Sequence, residues 1–304
     1  MKKSLFMKKS LLLFAMFWVL SVVAAQTQID GSGNIAVQER KLSPFMVLEN
    51  VSAANVVVVQ DAEYKAIVKT YDNVIRHVFT QVDGNTLTVS MEKNISYNKT
   101  EVIVEIHAPH LVEIVNSGPG EVNINSLKAD EFTLINKGPG DVRSSCLLVS
   151  KTLVMTNAGP GDMIVGFMTQ EDVTIANSGP GDMVLSVMRD VTSSMKVQNA
   201  GPGDVILKKL SVDDLQATNK GPGDLVLSGK ADKMTVVNSG AGDVKAKGLI
   251  VKTAYITQGG VGDVNAHVTG TAYLTQNSTV GNVKISGGGT VVGFSPHGKN
   301  HARW

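Results

Sequence analysis

At 304 residues, the chain is long enough for one large domain or two ordinary ones. Its net charge is +1 and charged residues make up 18% of it, which excludes the strongly basic surface typical of nucleic-acid-binding proteins. Thirty glycines and only 5% aromatic residues, with many valines, threonines and asparagines, favour strands and tight turns over helices.

Residues 1–25 have the pattern of a signal peptide. Four lysines precede an apolar stretch from Leu11 to Val23, and Val23-Ala24-Ala25 fits the small-residue site at which such peptides are cleaved. The alternative is a single membrane anchor, but an apolar run of about 15 residues is shorter than the roughly 20 that a spanning helix needs. We therefore predict export, cleavage after Ala25, and no membrane span in the mature chain.

Residues 26–110 form an N-terminal β-rich region. Several short segments in it have the alternating or β-branched pattern of strands, and Asp83-Gly84-Asn85 is a hairpin-type turn signal. The region is predicted to be either a β-sandwich-like cap or longer, less regular coils of the repeat that follows. Either would cover the open end of a stack of strands, which otherwise exposes unpaired backbone groups.

Residues 111–286 carry an internal repeat. The phrase Asn-x-Gly-Pro-Gly-Asp recurs with small variations, and its acidic residues, from Glu121 to Asp263, are 20, 21, 20, 22, 20, 19 and 20 residues apart. A short fixed period indicates a stacked repeat in which each unit buries its apolar face against its neighbours.

The flanks of the phrase identify the unit. Apolar residues alternate before the asparagine, as at Leu153 and Met155, and again after the aspartate, as at Met163 and Val165. A period of two on both sides indicates strand, turn, strand with one face inward. The predicted fold is therefore all-β: a parallel β-helix, or solenoid, with coils of about 20 residues.

The second glycine of each turn is predicted to be structural. In Gly138-Pro139-Gly140-Asp141 the proline and the second glycine occupy the central positions of a type II turn, whose third residue needs a positive φ. Proline is replaced in later copies while the glycine stays, so positive φ is the predicted requirement. The predicted structural glycines are Gly120, Gly140, Gly161, Gly181, Gly203, Gly223, Gly242 and Gly262.

The asparagines are predicted to form a buried ladder. Stacking the coils about 4.8 Å apart places equivalent residues in one column, and an amide can bond to its neighbours in the column and to the turn backbone. The predicted members are Asn116, Asn136, Asn157, Asn177, Asn199, Asn219 and Asn238, continued by Gln258 and Gln276.

The aspartates form a second column whose role the sequence leaves open. Neighbouring carboxylates repel each other, so three arrangements are considered: a solvated edge, hydrogen bonds from turn backbone N–H groups, or calcium ions between coils. The calcium candidates are Asp141, Asp162, Asp182, Asp204, Asp224, Asp243 and Asp263. No other cofactor is expected.

Together these features resemble a known family. The stretch from Ser43-Pro44-Phe45 to Val59-Gln60, followed by the repeated Asn-Ser-Gly-x-Gly-Asp-Val phrase, is similar to the head GIN domain of auto-transporter adhesins, over residues from about 40 to 285. The resemblance implies a β-solenoid in an exported protein of Gram-negative bacteria, located in the periplasm, at the outer membrane or on the cell surface. It supplies no set of functional residues.

The functional prediction is an exported, non-enzymatic protein with an adhesin-like binding or structural role. Its expected partner is a glycan, a matrix component or an envelope protein, and not a nucleic acid. The alternatives are a polysaccharide-active β-helix enzyme, which needs a cluster of acidic and basic residues that breaks the repeat, and a calcium-stabilised extracellular repeat protein. Residues 287–304 are predicted to be a flexible tail.

Overall fold

The computed structural model describes residues 27–169, 171–188 and 192–294. The predicted signal peptide, residues 1–25, lies outside the described residues, as do the last ten residues of the predicted tail. Within the described residues, no helix is long and apolar enough to cross a membrane.

The N-terminal region consists of short strands and one 3₁₀ turn, Ile75–His77. Its strands are β1 Thr27–Asp30, β2 Ile35–Lys41, β3 Val47–Asn50, β4 Asn55–Gln60, β5 Lys65–Tyr71, β6 Val78–Asp83, β7 Thr86–Met91, β8 Ile95–Asn98 and β9 Ile103–Ala108.

The repeat region is a continuous stack of parallel strands, some of which run through a corner of the coil. Its strands are β10 Glu113–Asn116, β11 Val122–Asn136, β12 Val142–Asn157, β13 Met163–Met168, β14 Asp172–Asn177, β15 Met183–Val187, β16 Thr192–Asn199, β17 Val205–Asn219, β18 Leu225–Asn238, β19 Val244–Gln258, β20 Val264–Gln276, β21 Val283–Ser286 and β22 Thr290–Phe294.

The register of the stack confirms the predicted solenoid. Each coil pairs with the next in parallel and equivalent residues lie side by side, as Asn116 does with Asn136. Along each strand buried and exposed residues alternate, so Met163 and Val165 point inward while Ile164 between them is exposed. The core is one column of buried Val, Leu, Ile and Met side chains that runs through all coils.

The N-terminal region continues the coils of the stack and then ends in antiparallel strands. Strands β3 and β4 form the first coil, because they pair in parallel with β10 and β11. Strands β7 and β9 lie beneath them, also in parallel. The antiparallel strands β5 and β6 then pair with β9 and β7, and β2 pairs with β5. This change to antiparallel pairing ends the stack.

At the C-terminal end, the flexible tail was predicted to start at residue 287, which is too early. Strand β22 pairs in parallel with β20 from Thr271↔Thr290 to Thr275↔Phe294, so the stack extends to Phe294. The glycines of 287–289 misled the prediction, because they form the corner that leads into this last strand.

Candidate functional site

The asparagine column forms a buried spine beneath the turns. Its described members are all buried and include one, Asn50, that the sequence analysis missed: Asn50, Asn116, Asn136, Asn157, Asn177, Asn199, Asn219, Asn238, Gln258 and Gln276. The Asn177 Nδ2 group donates to the carbonyl of Gly181 in its own turn, at 3.2 Å, and to that of Gly203 in the next coil, at 3.1 Å. The column therefore ties each turn to its neighbour.

Among the hydrogen bonds of the described residues, the predicted amide-to-amide bonding is found at the beginning of the column. Asn50 donates to Asn116 at 3.2 Å, and Asn116 donates to Asn136 at 3.3 Å. From Asn157 to Gln258 the side-chain amide oxygens are buried and accept no hydrogen bond among the described groups. In this part of the stack the amides stabilise the turn carbonyls rather than one another.

The type II turn prediction is wrong, and the reason for the second glycine is different. None of the predicted structural glycines has a positive φ. A Cβ added to Gly181 would instead lie 2.7 Å from the carbonyl carbon of Gly161 and 2.8 Å from the carbonyl oxygen of Pro160. Glycine is required because the turns of successive coils approach too closely for any side chain.

The turn backbone is correspondingly bonded between coils. The N–H groups of Ala158 and Gly159 donate to the Asn136 carbonyl, at 2.8 and 3.2 Å, and Gly161 N–H donates to that of Gly138, at 3.2 Å. These hydrogen bonds join each turn to the preceding coil rather than closing the turn itself. The turns are therefore hydrogen-bonded to one another in the same way as the parallel strands.

The aspartate column adopts the second of the three predicted arrangements. The backbone N–H of Asp182 donates to Asp162 Oδ1 at 2.9 Å, and that of Asp204 donates to Asp182 Oδ1 at 2.8 Å. The same bond recurs from Asp141 to Asp263 and ends at Asn282, whose N–H donates to Asp263. Each carboxylate thereby satisfies a turn N–H of the next coil.

The seven aspartates proposed as calcium ligands are not grouped as a metal site requires. Among the described residues no group of three or more His, Cys, Asp or Glu could hold a metal ion. Arg143 forms an ion pair with Asp141 at 2.6 Å, and Lys245 pairs with Asp224, a hydrogen bond that raises the pKa of Lys245 above its ordinary value. The calcium hypothesis stays a prediction, and the structural role of the column accounts for its regularity.

A surface that the sequence analysis missed lies on the last coils. Here six outward-facing threonines of β18, β19, β20 and β22 lie around two tyrosines, with Val237 and Val292 in the same columns; we call the threonines and tyrosines the Thr/Tyr face. Its residues are Thr235, Thr253, Tyr255, Thr257, Thr271, Tyr273, Thr275 and Thr290. At the strand and coil spacings of a β-sheet it measures about 13 by 14 Å.

The two tyrosines form an exposed aromatic pair at the centre of this face. Tyr255 and Tyr273 are 43% and 42% exposed, and their rings are 4.9 Å apart with 11° between the planes. Because atoms in contact are about 3.5–4.0 Å apart, this centroid distance requires a lateral offset. The next residue of the column is the smaller Val292, so part of the Tyr273 ring face is open to solvent.

A sequence signal for this face was present. Tyr255-Ile-Thr-Gln258 and Tyr273-Leu-Thr-Gln276 place a tyrosine three residues before the buried glutamine in two successive coils. Successive side chains of a strand point to opposite faces. Because the glutamine side chain points inward, the residue three positions earlier points outward. Aligning outward rather than inward positions of the repeat would have revealed the pair.

Comparison with family models gives a match over most of the chain. The model described as putative auto-transporter adhesin, head GIN domain, matches residues 44–188 and 189–289. A comparison with curated proteins finds no match.

Two solved structures share the fold. A putative adhesin from Parabacteroides merdae ATCC 43184 is 16% identical, with a TM-score of 0.60, and the match covers 88% of this chain and 100% of that one. A protein described as a putative lipid binding protein from Parabacteroides distasonis ATCC 8503 is 17% identical, with a TM-score of 0.57 and the same coverage. At these identities the likeness concerns the fold alone.

Proposed function

Because the chain belongs to the head GIN domain family of putative auto-transporter adhesins, we propose that it is an exported, non-enzymatic, adhesin-like protein of the bacterial envelope or surface. We further propose that it binds a neutral glycan through the Thr/Tyr face. The observation that carries this proposal is the exposed Tyr255–Tyr273 pair within an array of threonine hydroxyls.

The chemistry of the face fits a sugar better than a charged ligand. Hydroxyl groups both donate and accept hydrogen bonds, as sugar hydroxyls do, and an aromatic ring offers a flat apolar surface to the C–H face of a pyranose. At the edge of the face Lys233 is paired with Asp214 at 2.9 Å, so its charge is largely balanced. A flat, neutral, hydroxyl-rich surface favours neutral oligosaccharides over anionic ones.

The non-enzymatic part of the proposal is supported by the use made of the carboxylates. The repeat aspartates are distributed at one per coil, and from Asp141 to Asp263 each carboxylate accepts a hydrogen bond from a backbone N–H of the next coil. A hydrolase or lyase needs carboxylates that are free to exchange protons with substrate.

Glycan binding is tested on a glycan array with mature chain 26–304. We expect neutral glycans to be bound, and the double variant Tyr255→Thr/Tyr273→Thr to lose the signal. Threonine is compatible with the fold, because Thr235 occupies the same column. The matched control is Thr133→Ala, an outward position on an earlier coil. Binding only to anionic glycans, or equal binding by the double variant, would overturn the proposal.

Export is tested separately by expressing the full chain in a Gram-negative host and determining the N-terminus of the product in each cell fraction. We expect a chain beginning at Gln26 outside the cytoplasm. An uncleaved chain that stays in the cytoplasm or the inner membrane would contradict this part of the proposal.

A further inference from the structure

A second surface lies on the strand that follows the aspartates in each coil. Two residues beyond each aspartate, one outward column changes from charged to apolar and back to charged over six successive coils. Its members in order are Arg143, Ile164, Val184, Ile206, Val226 and Lys245. We call the four central residues the apolar strip.

A methionine widens the apolar strip on its far side, which is the side away from the aspartates. A Cβ added to Gly166 would lie 3.3 Å from the sulfur of Met188, so the Met188 side chain lies over this glycine. Met188 is 50% exposed and Ile164 is 38% exposed, while Val184, Ile206 and Val226 are half-buried. Methionine is flexible and polarisable and packs against partners of varied shape, which is why it is common at protein-binding surfaces.

The near side of the strip is lined by carboxylates. The ion pair of Arg143 with Asp141, two residues apart, shows that the aspartate column and this column share one face. Among the described residues, Asp162, Asp182 and Asp204 form no ion pair, while Asp141 and Asp224, at the two ends, are neutralised by Arg143 and Lys245. On this side of the strip the carboxylates without an ion-pair partner therefore lie beside its centre, while the exposed Lys208, two residues beyond Ile206, lies on the other side.

We propose that the apolar strip and its carboxylates dock a short, basic, amphipathic helix of a partner protein. From Ile164 to Val226 the strip spans three coil spacings, about 14 Å, which is the length of about ten helical residues. Side chains three or four apart on one helix face are about 5–6 Å apart, close to the coil spacing of about 4.8 Å, whereas an extended strand repeats a face only every 6.6–6.8 Å. The flanking cations limit the site to these four coils.

The probe is a fluorescein-labelled 14-residue Leu/Lys peptide with its leucines on one helical face, compared with the same peptide carrying Glu in place of Lys. Fluorescence anisotropy is measured with mature chain 26–304 at low and at physiological salt. We expect the lysine peptide alone to bind, and its affinity to fall as salt rises, because the carboxylates supply the attraction.

Two variants separate the charges from the apolar contacts without disturbing the stack. Asp182→Asn/Asp204→Asn keeps Oδ1, and with it the hydrogen bond to the next coil, but removes two charges. Ile206→Asn removes an apolar contact without adding charge, since it replaces an outward residue with the neutral type that Asn265 already supplies in the same column. Each is expected to weaken peptide binding by at least about tenfold.

The control variant is Asp232→Asn, an exposed corner residue paired with Lys252, which should leave peptide binding unchanged. The Tyr255→Thr/Tyr273→Thr variant should also bind the peptide normally, since this site is independent of the Thr/Tyr face. Equal binding of the glutamate peptide, unchanged binding by both site variants, or binding of anionic lipid vesicles instead of the peptide would overturn the proposal.

Discussion

The close approach of the turns predicts an unusually high cost for the smallest possible side chain at Gly181. A Cβ there would lie within 2.8 Å of three backbone atoms, the carbonyl carbon and oxygen of Gly161 and the carbonyl oxygen of Pro160. Overpacking costs typically about 1–3 kcal/mol where side chains can adjust. Here the obstruction is backbone held on both sides by neighbouring coils, so we expect Gly181→Ala to lower the free energy of unfolding by about 3 kcal/mol or more.

Gly259→Ala is the matched control. Gly259 lies in an equivalent turn, its φ is not positive, and the nearest atom to an added Cβ is the Asn238 oxygen at 3.9 Å. This change should be neutral or stabilising by about 0.4–1 kcal/mol, because alanine reduces the entropy of the unfolded chain. Urea unfolding of chain 26–304, followed by circular dichroism, gives both values, and a constant m-value shows that the transitions are comparable.

A third variant separates steric obstruction from a requirement for positive φ. Asparagine tolerates positive φ better than alanine does. If the type II turn were present, Gly181→Asn would therefore be milder than Gly181→Ala. We expect it to be at least as damaging. Equal stabilities of Gly181→Ala and Gly259→Ala, or a rescue by asparagine, would refute the close-approach argument.

Three further predictions concern the spine and the aspartates. The buried Asn199 side chain donates a hydrogen bond to the Gly203 carbonyl at 2.9 Å. Asn199→Ala removes this bond, and we expect the free energy of unfolding, measured in urea, to fall by about 1–3 kcal/mol. Asp182→Ala should cost about 1 kcal/mol, because it leaves the N–H of Asp204 without its acceptor, while Asp182→Asn should be nearly neutral in the same assay. Millimolar calcium should leave the melting temperature of chain 26–304 unchanged relative to chelator; a rise of several degrees would instead establish the aspartates as a cation ladder.

The repeat period determined most of what the sequence could predict. The coil length, the inward alternation and the buried asparagines follow from pattern alone, because any other register would expose the apolar residues. The first coil escaped notice because Asn50 and Ala54 are separated from Asn116 and Gly120 by the inserted cap strands, and because Ala54 replaces the glycine.

The turn was misread because composition cannot distinguish two uses of glycine. Gly-Pro-Gly-Asp is compatible with positive φ and also with a close backbone approach, and only the spacing between coils decides between them. The same limit applies to Asp141–Asp263. A carboxylate column can bind cations or backbone N–H groups, and the hydrogen bond from Asp182 to Asp162 becomes visible only when the coils are stacked.

The surfaces were the least predictable part of the molecule. Tyr255 and Tyr273 are 18 residues apart in sequence, and their contact depends on a coil that is shorter than the others. The apolar strip likewise consists of single residues, such as Val184 and Ile206, one per coil. In one dimension these residues are indistinguishable from ordinary β-branched strand residues.

The central structural claim is that the turns belong to a continuous hydrogen-bonded spine. Amide hydrogen exchange of chain 26–304, measured residue by residue by NMR, tests it most directly. We predict that the turn N–H groups of Gly181, Asp182 and Asp204 are protected as strongly as those of the adjacent strands, because each bonds to the preceding coil. Turn amides that exchange as fast as those of an unstructured peptide, beside protected strands, would contradict it.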